Sequence, residues 1–154
     1  MTDPLAGDGR VMALDYGRRR IGVAVSDPTR TIASPHGVIE RPKSAKGPAD
    51  LPEALIALIE RMEPRALVVG IPLAMDGTAG EMALEARAFG AALTERTGRP
   101  VLEWDERLSS AHAERELRAL DLPRNKRREK GRTDTMAATL MLTGFLRSRT
   151  WTPE

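Results

Sequence analysis

Val11-Met12-Ala13-Leu14-Asp15-Tyr16-Gly17 is a short apolar strand that ends on a carboxylate. A second strand-end pair of acids, Asp105 and Glu106, follows about ninety residues later, and Asp134 opens the last amphipathic stretch. Three carboxylate sites far apart in the chain can therefore meet at one edge of a sheet. Clustered carboxylates hold hard divalent cations, so the pattern points to metal-dependent cutting of phosphodiester bonds.

Residues 21–25 form a second strand rich in β-branched side chains, and the link Gly17-Arg18-Arg19-Arg20 is short enough for a hairpin. A third strand is expected within 37–41. Asp50 with Glu53 has the spacing of a capping box, and Leu51, Leu55, Leu58, Ile59 and Met62 then repeat at helical spacing. Residues 66–71 are a continuous apolar run, the pattern of a strand buried on both faces and hence of parallel pairing. Thr78 with Glu81 signals another helix, carrying Met82, Phe89 and Leu93 until Gly98 and Pro100 stop it. A strand over 101–105 and helices over about 110–120 and 133–147 complete the chain.

This order predicts an α/β fold: a mixed five-stranded sheet, three antiparallel strands then two parallel ones, with helices on both faces. A chain of 154 residues fits one domain, since this size hides roughly 70% of its unfolded surface. That domain is expected over 11–148, with residues 1–10 and 149–154 loose. Aromatic residues make up only 3% of the chain, so Ala, Leu, Ile, Val and Met must fill the core.

No apolar run approaches the ~18 residues of a membrane span, and residues 1–10 lack the hydrophobic stretch of a secretory signal. A cytoplasmic protein without a membrane partner is the expectation. The chain has no cysteine, which excludes disulfides, thiolate metal sites and a cysteine nucleophile. A metal must be held by oxygen or by its two histidines. His36 and His112 read as a loop residue and a surface helix residue.

Net charge is only +2, but it is unevenly spread. Arg124, Lys126, Arg127, Arg128, Lys130 and Arg132 face one acid, Glu129, a local charge of +5. This stretch has little apolar surface and is expected to be a mobile loop. Beside a carboxylate site that repels a polyanion, such cations hold phosphates by counterion release. The loop lacks aromatic residues, so recognition of a nucleic-acid backbone is favoured over base stacking.

Asp134 precedes Ala137 and Ala138 by three and four residues and Met141 by seven, so it extends the buried stripe of the last helix. Asp105 and Glu106 are adjacent, and strand alternation sends them to opposite faces, so only one reaches the site. Glu106 is favoured, with Asp105 as its substitute and otherwise bonded to nearby backbone. Arg107 has two readings, a fork for phosphate or a bridge to Asp105. Ser109 and Ser110 read as helix caps whose hydroxyls can also touch phosphate. Gly70-Ile71-Pro72-Leu73 with Asp76-Gly77-Thr78 reads as a tight turn below the site, with reception of an anion by its amides as the alternative.

Leu14-Asp15-Tyr16-Gly17, Ile21-Gly22-Val23-Ala24, Val69-Gly70-Ile71-Pro72-Leu73, Asp105-Glu106-Arg107-Leu108-Ser109-Ser110 and Lys130-Gly131-Arg132-Thr133-Asp134 with Ala137-Ala138 together resemble the bacterial YqgF family of ribonuclease-H-like proteins. That family is described as Holliday junction resolvases and as pre-16S rRNA nucleases. The likeness covers about residues 11–148. It implies an RNase H-like fold and a nuclease using Mg²⁺ or Mn²⁺ that matures the end of small-subunit ribosomal RNA. On its motifs Asp15, Glu106 and Asp134 are implied catalytic metal ligands. Resolvases of the RuvC type carry further acids after the middle strand and along the last helix. Gly70-Ile71-Pro72 and Ala137 stand there in this chain, which implies one firmly held ion, with a second recruited by substrate.

The substrate contacts expected are Arg107, Ser109, Arg124, Lys126, Arg127, Arg128, Lys130 and Arg132. The alternative nuclease reading is a four-way DNA junction, which needs a homodimer presenting two sites, whereas RNA trimming needs only a monomer. A third reading is a non-catalytic RNA-binding assembly factor. Actin-like ATPases share the Asp-x-Gly strand but need two such domains, and this chain has one.

Overall fold

The computed structural model describes residues 3–108 and the helix Lys126–Thr150, with side chains of that helix described over 135–149. Five strands form one sheet: β1 (Val11–Tyr16), β2 (Arg20–Ser26), β3 (Ala33–Glu40), β4 (Ala66–Ile71) and β5 (Val101–Asp105). Their order is β3-β2-β1-β4-β5, with β1–β2 and β2–β3 antiparallel and β1–β4 and β4–β5 parallel. The helices are α1 (Glu53–Met62), α2 (Glu81–Thr97) and α3 (Lys126–Thr150), and a 3-10 turn, Glu106–Leu108, follows β5. The expected mixed five-stranded sheet with both faces covered is the observed one.

Alternation along β1 divides the core in two. Met12, Leu14 and Tyr16 pack with Leu55 and Ile59 of α1 and Phe89 of α2. Val11 and Ala13 pack on the opposite face with Ala137, Ala138, Met141 and Leu142 of α3. The neighbouring β4 alternates in step, Leu67, Val69 and Ile71 towards α1 and α2, Ala66 and Val68 towards α3. Both strands are buried along their whole length, as their near-continuous apolar sequences require. Phe89 is fully buried, and its loss to alanine is worth about 3–5 kcal/mol.

Several local expectations are corrected. β3 begins at Ala33, earlier than its apolar residues suggest, because an edge strand tolerates Pro35 and Gly37, and its pairing with β2 shifts at Val23/Ala24. The capping box at α1 does not form. Pro52 occupies the N-cap without a side-chain bond, the Asp50 carboxylate accepts the Lys46 N–H at 3.1 Å, and Glu53 pairs with Arg96 instead. Likewise Gly80 caps α2, while Thr78 donates its N–H and hydroxyl to Asp76. Gly98, at φ 74, ends α2 as its sequence indicates.

The basic stretch expected as a loop is helical from Lys126 onward, so α3 starts seven residues before the expected 133. Arg, Lys and Glu are strong helix formers, and Glu129 stands three residues from both Lys126 and Arg132, the spacing of stabilising pairs. Residues 3–10 make hydrogen bonds to the sheet and its loops. Arg30 donates to the carbonyls of Leu5, Gly7 and Gly9, Arg65 donates to that of Asp8, and Leu5 is buried. The expected helix over about 110–120 lies outside the described residues. Among the described residues no helix is long and apolar enough to cross a membrane.

Candidate active site

Asp15 continues the Val11, Ala13 series and so faces α3, with only 4% of its surface exposed. Leu14 pairs with Val69 across β1 and β4, and the residues that follow this pair are Asp15 and Gly70. Gly70 continues the Ala66, Val68 series on the same face. Side chains at adjacent positions of neighbouring strands stand about 4.8 Å apart. Gly70 has none, and the space above it holds the Glu106 side chain: a Cβ built on Gly70 would lie 2.6 Å from Glu106 Oε2. Glu106 thus reaches back from the end of β5 over β4, on the sheet face that Asp15 also occupies.

Glu106 is 2% exposed, with Met141 of α3 against the same space. Burial, and secondarily the charge of Asp105, push its carboxyl up to about 7. A carboxyl held out of water near neutral pH either keeps its proton or meets a cation. Asp15 and Glu106 offer hard oxygen donors, the set that suits Mg²⁺ or Mn²⁺. Among the described residues no group of three or more acids or histidines gathers around one point. Asp134 sits in the backbone of α3 one helical turn before Ala138, and its side chain lies outside the described residues.

Asp105 has a different fate from its neighbour. Its Oδ1 accepts the Arg107 backbone N–H at 3.0 Å, and its two oxygens take the Arg107 guanidinium, Nη2 to Oδ2 at 2.6 Å and Nε to Oδ1 at 3.0 Å. Of the two readings of Arg107, this is the bridge. The remaining nitrogen, Nη1, donates to the Met75 carbonyl at 3.2 Å. Arg107 therefore ties the end of β5 to the β4–α2 loop, where Gly77 adopts φ 88 and its N–H bonds the Ala74 carbonyl at 2.8 Å. The Asp76 carboxyl there is held below its ordinary value by the Thr78 N–H and hydroxyl.

Tyr16 points to the other face, where a polar network that the sequence pattern did not indicate braces the strand that carries Asp15. Its hydroxyl donates to Glu85 at 2.9 Å and accepts from the buried Arg41 at 3.3 Å. Arg18 makes a two-pronged pair with the same Glu85, 2.6 Å from Nη2 to Oε2. Arg41 also donates to the carbonyls of Arg18 and Gly47 and lies over the Tyr16 ring, 5.2 Å from its centroid. A Tyr directly after the strand-end Asp, opposite it by alternation, was the available signal. His36 lies exposed on the edge strand β3.

The other candidate contacts are placed only in part. Lys126, Arg127, Arg128, Lys130 and Arg132 belong to the first turns of α3, ahead of Asp134, and their side chains lie outside the described residues. Ser109 and Arg124, with Ser110 and His112, lie outside the described residues altogether.

A family model described as "RuvX: Holliday junction resolvase" matches residues 9–148. Curated relatives named "putative pre-16S rRNA nuclease" include one from Agrobacterium fabrum, 41% identical over 88% of this chain and 82% of its own length. Another, from Halothermothrix orenii, is 43% identical over 89% of this chain and 94% of its own length. Among solved structures, Thermus thermophilus RuvC in complex with a Holliday junction substrate aligns with a TM-score of 0.53 over 92% of this chain and 96% of that one. At 17% identity that likeness speaks for the RNase H-like fold alone. With two buried acids on one face of such a sheet and a family match over nearly its whole length, the chain belongs to the RuvX (YqgF) family of nucleases, hydrolases acting on ester bonds.

Proposed function

We propose that this protein is a divalent-cation-dependent nuclease that matures the end of pre-16S rRNA in the cytoplasm. Asp15, Glu106 and Asp134 are the cation ligands in this reading. The observation that supports it is the placement of the Glu106 carboxylate over Gly70, on the sheet face of Asp15 and buried like it. The names borne by relatives at about 40% identity support the RNA substrate. A bound Mg²⁺ or Mn²⁺ would supply the Lewis acidity that activates water against the phosphodiester.

The chain's own groups divide the remaining work. Asp15 and Glu106 fix the cation position from two strands, and the walls of α3 keep bulk water from them. Arg107 holds the β4–α2 loop at the rim. The basic start of α3, with Arg124 and Ser109 before it, offsets the acids' repulsion of a polyanion and holds substrate phosphates. Substrate backbone, not base identity, is what such a surface recognises.

A side-by-side assay with Mn²⁺ on pre-16S rRNA ends and on a four-way DNA junction tests the reading, with Asp15→Asn as control. The expected result is RNA cleavage that Asp15→Asn abolishes without unfolding the chain. Junction cleavage with the RNA left intact would replace RNA by branched DNA. Wild-type cleavage by Asp15→Asn would remove the site itself.

A further inference from the structure

Gly70 is the one residue of β4 whose side chain is missing where every neighbour is apolar and packed. Its strand is regular there: Gly70 pairs with Trp104 of β5, and its φ is not among the positive ones. The backbone therefore does not ask for glycine, and glycine in a strand interior is unfavourable unless another group approaches closely. That close approach is present. A Cβ at this position would lie 2.6 Å from Glu106 Oε2, 3.0 Å from Glu106 Cγ and 2.5 Å from Met141 Sδ.

The reason such a gap matters lies in the strand order. Asp15 is carried by β1 and Glu106 follows β5, with β4 between them. Two strand spacings amount to about 9.6 Å, whereas one divalent ion takes its oxygens at about 2.0–2.6 Å. The acids can share an ion only if one of them crosses the intervening strand, and a side chain on that strand would stand in its path. Met141, a flexible thioether on α3, covers the crossing from above.

We infer, resting on the ligand assignment proposed above, that Gly70 is a positioning residue: its bare α-carbon is the floor along which Glu106 crosses β4 to reach the cation shared with Asp15. The residue touches neither substrate nor cation and acts wholly through the acid lying on it. Any side chain there would push the Glu106 carboxylate away from Asp15 or lift Met141 and α3.

Mn²⁺ titration by calorimetry on the metal-free full chain, with far-UV circular dichroism and thermal unfolding of each variant, tests this. Gly70→Ala is expected to keep its secondary structure and bind Mn²⁺ about 10–100-fold more weakly. Adding Met141→Ala should restore unfolding temperature but not affinity, because the new methyl still meets Glu106. Affinity of Gly70→Ala within about twofold of wild type, or full recovery by Met141→Ala, would overturn the inference. If Gly70→Ala does not fold, Gly70→Ala/Glu106→Ala must unfold as cooperatively as Glu106→Ala, since truncation empties the contested space, and failure to do so overturns it equally. Wild-type Mn²⁺ affinity in Glu106→Ala is a separate result: it removes the ligand assignment, while the thermal coupling between Gly70→Ala and Glu106→Ala still reports whether the two residues share the space.

Discussion

Asp105 grips Arg107 through both carboxylate oxygens, at 2.6 and 3.0 Å, while the next residue in the chain, Glu106, turns inward and is almost wholly buried. Adjacent acids at the end of one strand thus take separate tasks. One holds a cationic side chain and the other packs over Gly70.

Asp105→Asn is accordingly expected to act through Arg107. The neutral amide loses the charge that orients the guanidinium, and the β4–α2 loop loosens as Arg107 releases the Met75 carbonyl. Cleavage should fall by about 10–100-fold, as for residues that orient ligands, with Mn²⁺ affinity changed far less than by Glu106→Gln. Calorimetry and initial rates on the two variants separate these effects. Loss of Mn²⁺ affinity in Asp105→Asn but not in Glu106→Gln would make Asp105 the ligand in place of Glu106.

Stability of the metal-free chain should carry the signature of Glu106. Its carboxyl keeps its proton to about 7 when folded, against an ordinary value of 4.5. Between these values the folded chain binds more protons than the unfolded one, so stability falls as pH rises, by about 3 kcal/mol in all. The contribution is fully favourable below 4.5 and lost once pH passes about 7. Glu53, Asp76 and Glu85 are shifted downward and act with the opposite sign, below their ordinary values of 4.5, 3.8 and 4.5. Urea unfolding at about pH 5 and about pH 7.5 should show the drop in wild type and not in Glu106→Gln. A flat wild-type profile would mean that burial does not hold the proton.

The network behind Asp15 gives a third expectation. Tyr16→Phe removes the hydroxyl that joins Glu85 to Arg41, at a cost of about 1 kcal/mol, and Arg41→Met removes charged bonds worth about 2–3 kcal/mol. Unfolding temperatures should drop by about 2–4 °C per kcal/mol. If Arg41→Met unfolds at the wild-type temperature, the guanidinium does not brace the β3–α1 connection.

Much of this architecture was legible because β1 and β4 obey simple alternation. Once Val11 and Ala13 face α3, Asp15 must do so too, and the apolar run of β4 can only be a central strand. Other features were hidden because they depend on tertiary competition. Asp50 and Thr78 have the spacing of caps, yet their turns bind them elsewhere, to Lys46 and Asp76. The charge run read as a loop for want of apolar residues, although its helix-forming residues sufficed to start α3. Gly70 read as part of a turn signal, since no sequence pattern tells a glycine kept for a turn from one kept for a neighbour's carboxylate.

Phosphate binding by the start of α3 is expected to depend on its cations as a group. Replacing Arg127, Arg128 and Lys130 by alanine should weaken RNA binding at low salt and lower the slope of log affinity against log salt by about 2, at about 0.7 for each phosphate no longer neutralised. Fluorescence anisotropy across a salt series measures both. An unchanged slope would place the polyanion elsewhere on the molecule.

In the proposed site, acids carried by β1 and the end of β5 meet at one cation. A crystal structure of the metal-free protein soaked with Mn²⁺, with anomalous differences collected at the manganese edge, tests it most directly. The expected result is an anomalous peak within coordination distance of both Asp15 and Glu106, beside Gly70 and facing α3. Manganese bound by neither acid, or by Asp105 with Glu106 turned away, would contradict it.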